Sequence, residues 1–418
     1  MANYQKEAVL IGAGKIGRGY MAYIFNNAGY RMTFLEYDET LVTQMRTQGY
    51  YTIFMRDRHN ETADWDVFRI ENYDAFCTET EWDACVDVLS TANYATVQVF
   101  PGAIKSIGHM IGEAAKKRML AGNEETLDIF FVINFLDADV LFREAALEIM
   151  QTEEERIYLD KYIGFVYGLV RGSGPMPNQE MLEIDPIAIS CADQNYLPVD
   201  VDQMKGPMPE DVNFIPTHNV GALVKRKVWG GNVSHCCLAY YGKQRGYTYG
   251  YEASLDPYIH KCGEFATQEA LKGLELDITF DPADIKRYFI DDDYGKEGPY
   301  DPSKIDTEVK DPLNRIGADP IRKLARNDRF IGPALLCLKH GVVPYFLARG
   351  AAMGFFFENE EDPAAVEIQN YIAAEGIEKA IEKYCQLDKQ DALENTLYQM
   401  VLSHYYDIKE VDPYYVTL

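Results

Sequence analysis

The run GAGKIGRG at residues 12–19 limits the fold more than any other stretch of the chain. It sets Gly12, Gly14 and Gly17 in a G-x-G-x-x-G spacing. A short apolar run, residues 8–12, precedes it, and a stretch with helical spacing follows and closes on Gly29. Each glycine has its own duty. The first permits a tight turn, the second lets backbone approach a pyrophosphate, and the third allows helix to pack closely on strand. The helix N-terminus, with Lys15 and Ile16 in its first turn, then offers N–H groups to phosphate oxygens. Residues 31–38, RMTFLEYD, read as a second strand that brings Glu36 to its end, nineteen residues past Gly17. A carboxylate there accepts from ribose hydroxyls. It would repel a 2′-phosphate, and no arginine adjoins it, so the expected cofactor is NAD rather than NADP. Asp38 reads as a cap for the next helix.

Strand, glycine loop, helix and strand open a βαβ unit. Two apolar, β-branched runs, residues 84–92 and 127–135, flank a helical stretch at 102–120. Both read as interior strands of a parallel sheet, and residues 157–170 add another. After about residue 210 strand-like runs become rare and helical periodicity dominates. The expectation is an α/β Rossmann-like, NAD-binding domain over 1–210 and a mostly α-helical substrate and catalytic domain over 211–418. A chain of 418 residues is long for one core. Residues 291–312, rich in Asp, Pro and Gly, read as a surface loop.

The net charge of −26 argues against nucleic acid and anionic membranes as partners. No apolar run reaches the length of a membrane span, and the N-terminal residues do not read as a signal peptide. The eight cysteines show no C-x-x-C pair or metal-site spacing, and the adjacent Cys236 and Cys237 suit a disulfide poorly. Reduced thiols in the cytoplasm are expected.

The segment KRKVWGGNVSH carries Lys227, Asn232 and His235 at offsets of five and eight. On a regular helix they fall within an arc of about 140°, with His235 between the other two. Alcohol oxidation needs a base for the hydroxyl proton and donors for the developing alkoxide. A desolvated lysine near other cations suits the first task, and a neutral amide suits the second. Gly230 and Gly231, inside the segment, either allow close backbone approach or break the helix. Asn134 supplies a second amide at the carboxyl end of an apolar strand, the edge where open α/β sheets bind ligands.

GAGKIGRGY, INFLDAD, KVWGGNVSH and DPIRKLARNDRFIGPALLCLKHG together resemble the mannitol dehydrogenase family of polyol dehydrogenases. Within it they are most similar to the mannitol-1-phosphate 5-dehydrogenase branch, over about residues 8–400. The resemblance implies a metal-independent, NAD-dependent interconversion of D-mannitol 1-phosphate and D-fructose 6-phosphate. Lys227 would be the general acid/base, Asn134 and Asn232 would hold the reacting oxygen, and His235 would orient the substrate. Thr91 would contact the cofactor from the stretch STANY, where the family has small residues after its fourth strand. The active site would lie in the cleft between the domains. The substrate phosphate needs cations, and Arg322 and Lys323 are preferred over Arg326, Arg329, Lys205, Arg226 and Arg245. Two other readings stand beside this one. The same chemistry could act on a free polyol or a hexuronate, or the chain could be a non-catalytic NAD-binding regulator. The expected assembly is a monomer or a weak homo-oligomer.

Overall fold

A computed structural model describes residues 6–56, 64–170, 176–192, 196–289, 305, 307 and 310–410. Most of the loop expected at 291–312 lies outside these residues, as do residues 1–5. The chain divides into two compact units, Met1–Gly221 and Ala222–Leu418.

The described strands of the first unit are β1 (Glu7–Ile11), β2 (Arg31–Glu36), β3 (Tyr51–Arg56), β4 (Asp66–Ile70), β5 (Tyr73–Cys77), β6 (Tyr94–Val97), β7 (Leu127–Phe131), β8 (Ile163–Tyr167), β9 (Ile189–Ala192), β10 (Leu197–Asp200) and β11 (Phe214–Thr217). Six of them form one parallel sheet in the order β5-β2-β1-β6-β7-β8. Counted along the chain within that sheet, the order is 3-2-1-4-5-6, the doubly wound arrangement of a Rossmann domain. Every residue of β7 and of β8 is buried. Continuous burial follows from helices covering both faces, as parallel sheets require. A smaller sheet, β4-β3-β9, and the pair β10-β11 complete the unit.

One expectation is corrected here. Residues 84–92 are not a strand: Trp82–Thr91 is a helix, and the fourth strand of the sheet is the next segment, Tyr94–Val97. The buried positions Cys85, Val86, Leu89 and Ser90 recur at helical spacing, one stripe of a helix lying on the sheet.

The described elements of the second unit are helices joined by turns and loops. Its longest helix, Pro257–Asp277, starts on a proline preceded by Asp256, whose carboxylate accepts from the N–H groups of Tyr258 and Ile259. Its buried positions recur every three or four residues, from Ile259 to Leu274. Beside that stripe the half-buried Glu269 accepts from the N–H groups of Phe346 and Leu347 at 3.0 and 2.9 Å, at the start of Tyr345–Gly354. No described helix of either unit is long and apolar enough to cross a membrane.

His404 is buried on the last helix, Ala392–Glu410, with the Tyr345 ring edge-on at 4.6 Å. Burial, and secondarily the Arg349 guanidinium, pushes its pKa from 6.5 down to about 4. Between those values the unfolded chain binds a proton that the folded chain refuses, so this histidine lowers stability as pH falls through the window. The full effect approaches about 3 kcal/mol. His404→Phe is therefore expected to lose less thermal midpoint than the wild type between pH 7 and pH 4.5. Equal losses in a melting series would exclude this role for His404.

Candidate active site

The glycine loop leaves β1 at the carboxyl edge of the sheet. Gly12 holds φ at +98°, a conformation that side chains strain, and its N–H donates to Leu35 O at 2.7 Å. A Cβ on Gly17 would lie 2.0 Å from the Gly12 carbonyl oxygen, so the helix meets the strand turn with no room for one. Gly14 is exposed, and nothing lies within 4 Å of where its Cβ would be. The helix begins with a π-helical segment, Lys15–Met21, that runs into the α-helix Ala22–Asn27, with Lys15 and Ile16 half-buried at its start.

Two charged side chains brace this loop from within. Glu36 is 5% exposed and accepts from the Ala13 N–H at 2.5 Å. Its other oxygen accepts from the N–H groups of Tyr37 and Asp38 at 2.9 and 3.1 Å. Arg18 is buried, and its Nε donates to the Ala13 carbonyl at 2.6 Å while a second nitrogen donates to Ile187 O at 2.5 Å. Ala13, between the first two glycines, is thus gripped at both its N–H and its C=O. The acid expected to face ribose also fixes the loop. A carboxylate has about four acceptor sites; backbone N–H groups take three of them here, which leaves one for a hydroxyl. Asp38 caps the following helix through Thr40 and Leu41, as its position suggested. Arg18 escaped the sequence reading, although its place one residue after Gly17 was a usable signal.

Neighbouring strand ends supply the rest of this edge. Asn134 lies three residues past β7 and is exposed. Gln98 directly follows β6, donates its N–H to Ile11 O at 2.9 Å and adjoins the loop. Thr91 is a correction. It ends the helix Trp82–Thr91, before β6 begins, and its hydroxyl donates to Val88 O at 3.0 Å. In a parallel sheet that is the amino edge, a whole strand length from the glycine loop. Gln98, not Thr91, stands at the carboxyl end of β6 beside the glycine loop.

In the second unit, Lys227, Asn232 and His235 share one continuous helical run. Lys227–Gly231 is a π-helical turn, followed directly by the α-helix Asn232–Gln244. The Asn232 N–H donates to the Lys227 carbonyl, an i→i+5 bond. The wider turn sets Asn232 close above Lys227, a tighter grouping than the arc of a regular helix. Such π-bulges are frequent at functional sites. Lys227 and Asn232 are half-buried, and His235 is exposed. The glycine pair does not break the helix. A Cβ on Gly230 would lie 2.8 Å from Leu271 of Pro257–Asp277, and Thr267 donates to the Gly230 carbonyl at 3.1 Å. Close approach is the reason for that glycine.

The cation run at 322–329 is built differently from the expectation. Lys323 is 5% exposed, its amine donates to Ile316 O at 2.7 Å, and burial pushes its pKa down to about 8. It faces the interior of its own unit, and its assignment to a substrate phosphate is corrected. Arg329 is buried against Asp328 and Cys236. Arg326 is paired with Glu394. Arg322 pairs with Asp319 at 2.7 Å and Asp328 at 3.4 Å but keeps a third of its side chain exposed. Among the described residues, no group of three or more His, Cys, Asp or Glu side chains could hold a metal ion.

Residues 6–210 match the family model of the mannitol dehydrogenase Rossmann domain. The chain carries a mannitol dehydrogenase Rossmann domain. It is an oxidoreductase. It is 26% identical over 398 residues to a mannitol-1-phosphate 5-dehydrogenase of Bacillus licheniformis, covering 95% of this chain and 99% of that one. It is 27% identical over 407 residues to the enzyme of the same name from Caldanaerobacter subterraneus subsp. tengcongensis, covering 96% and 98%. Among solved structures it resembles Pseudomonas fluorescens mannitol 2-dehydrogenase, described as a ternary complex with NAD and D-mannitol. That likeness has a TM-score of 0.74 at 15% identity, over 98% of this chain and 93% of that one, and speaks for the fold.

Proposed function

We propose that this protein is an NAD-dependent polyol-phosphate dehydrogenase that interconverts D-mannitol 1-phosphate and D-fructose 6-phosphate. The observation that carries the reading is similarity over 95–96% of the chain to two enzymes of that name. Lys227, Asn232 and His235 on one π-turned helix support it, as does the braced glycine loop.

The cofactor is NAD. The site suits it in three ways: Gly14 leaves open space where a Cβ would stand, Glu36 keeps an acceptor site and a negative charge against a 2′-phosphate, and the carboxamide of Gln98 has no partner among the described residues. When bound, the nicotinamide takes a hydride from the alcohol carbon or returns one to the ketone. Gly14, Lys15 and Ile16 present helix N-terminal N–H groups to the pyrophosphate. Lys227 takes the hydroxyl proton during oxidation and gives it back during reduction. Asn134 and Asn232 donate amide N–H bonds to the reacting oxygen, which gains charge as the proton leaves. His235 orients the substrate. All eight cysteines are buried thiols outside any disulfide, which supports a reducing compartment, the cytoplasm.

The test is NADH oxidation with D-fructose 6-phosphate against free fructose. The expected outcome is at least a hundredfold higher kcat/KM for the phosphate ester. A preference for the free ketose would move the reading to an unphosphorylated substrate, and NADH binding without turnover on either would make the chain a sensor. Arg322, which keeps a third of its side chain exposed, is the proposed phosphate ligand. Arg322→Ala should raise KM for the phosphate ester about 10- to 100-fold, the worth of a charge-assisted bond of about 1.5–3 kcal/mol. An unchanged KM removes Arg322 from that role.

A further inference from the structure

Gln98 carries an unused pair of hydrogen-bonding groups beside the glycine loop. Both its carboxamide oxygen and its carboxamide nitrogen are buried, and neither has a partner among the described residues. Its side chain lies against the first turn of the loop helix: a Cβ on Gly17 would stand 2.9 Å from the Gln98 Oε1. Its backbone abuts the loop's other end, where a Cβ on Gly12 would meet the Gln98 carbonyl oxygen at 2.5 Å. Two residues earlier on β6, and so on the same face, the Thr96 hydroxyl is also buried and without a partner. Such pairs are rare in folded proteins, because an unsatisfied buried amide costs about 1–3 kcal/mol. Thr96 pairs with Leu10 inside β6, and Gln98 follows that strand at the carboxyl edge, beside the turn that Gly12, Ala13 and Gly14 make.

We infer that Gln98 is a positioning residue for the dinucleotide: its carboxamide swings out from behind the loop and donates from Nε2 to the sugar–phosphate backbone of the bound cofactor. A glutamine has the reach and the neutrality for this task. It donates without adding charge beside Glu36, and its remaining oxygen can accept from a ribose hydroxyl. The free protein bears the cost of an unsatisfied amide, and the complex removes it. The inference rests on the NAD reading above.

Gln98→Met keeps the side chain's length and removes its hydrogen bonds. Two quantities decide the matter: the NADH dissociation constant from fluorescence titration, and the thermal midpoint of the cofactor-free protein. The expected result is a dissociation constant raised about tenfold or more, with a free-protein midpoint equal to or above that of the wild type. Affinity within twofold of the wild type would overturn the inference. So would weaker binding accompanied by a lower free-protein midpoint, which would mark Gln98 as a structural residue satisfied by buried water. If the wild type itself fails to bind NADH, the functional reading falls, and this inference with it. Tight wild-type binding that Gln98→Met leaves untouched sinks the inference alone.

Discussion

Lys227→Ala is expected to lower turnover by about three orders of magnitude, the middle of the range for removing a general acid/base, while NADH affinity stays within twofold of the wild type. The separation follows from where the two tasks reside. The groups offered to the dinucleotide, from the glycine loop to Gln98, belong to the first unit, and Lys227 belongs to the second. Lys227→Arg should be as poor as alanine, because a guanidinium keeps its proton at any working pH and cannot act as the base. The pH profile of kcat/KM for alcohol oxidation should rise through one ionisation below lysine's ordinary ~10.4 in the wild type and lose that limb in either variant. A loss of turnover below tenfold would exclude lysine as the base. A fall in NADH affinity that matched the fall in rate would assign Lys227 to binding instead of chemistry.

The fold was legible where local chemistry and global packing agree. Gly12, Gly14 and Gly17, with Glu36 after the next strand, announce a strand–loop–helix–strand start, and the six-stranded parallel sheet follows from it. The helical second half was legible from periodicity over long segments. What failed was a short apolar run. Residues 84–92 hold valines, a leucine and a cysteine, and at nine residues the same pattern suits a buried strand or a helix lying on a sheet. The burial of Cys85, Val86, Leu89 and Ser90 makes it a helix. That one shift of element puts Gln98, not Thr91, at the carboxyl end of the fourth strand of the sheet. The π-turn at Lys227–Gly231 was illegible for a different reason. Nothing in a one-residue-at-a-time periodicity distinguishes an i→i+5 turn from a regular one. The partners of the cations at 322–329 were illegible because a basic run gives no sign of them. Lys323 turned inward to a backbone carbonyl, and Arg326 turned to Glu394.

Gly17→Ala and Gly14→Ala should part stability from cofactor binding within a single loop. At Gly17 the added methyl meets the Gly12 carbonyl oxygen at 2.0 Å. That neighbour is backbone, fixed in turn by the Gly12 N–H bond to Leu35 and by the two side chains that grip Ala13. No rotamer change relieves the clash, so the helix must move off the strand. The expected cost is about 3 kcal/mol, at the upper end for overpacking. The displaced helix N-terminus also carries its N–H groups away from the pyrophosphate, and NADH affinity should fall at least about a hundredfold. At Gly14 the backbone φ is −72°, which alanine adopts freely, and the methyl meets nothing within 4 Å. The thermal midpoint should hold or rise slightly, since alanine restricts the unfolded chain by about 0.4–1 kcal/mol relative to glycine. Yet that open space is where a pyrophosphate must come close, so NADH affinity should still fall about tenfold or more. A Gly17→Ala protein that melts like the wild type would contradict the packing described for the loop. A Gly14→Ala protein that binds NADH at wild-type strength would show that the cofactor does not pass over this glycine at all, and the reading of the loop as its cradle would fail.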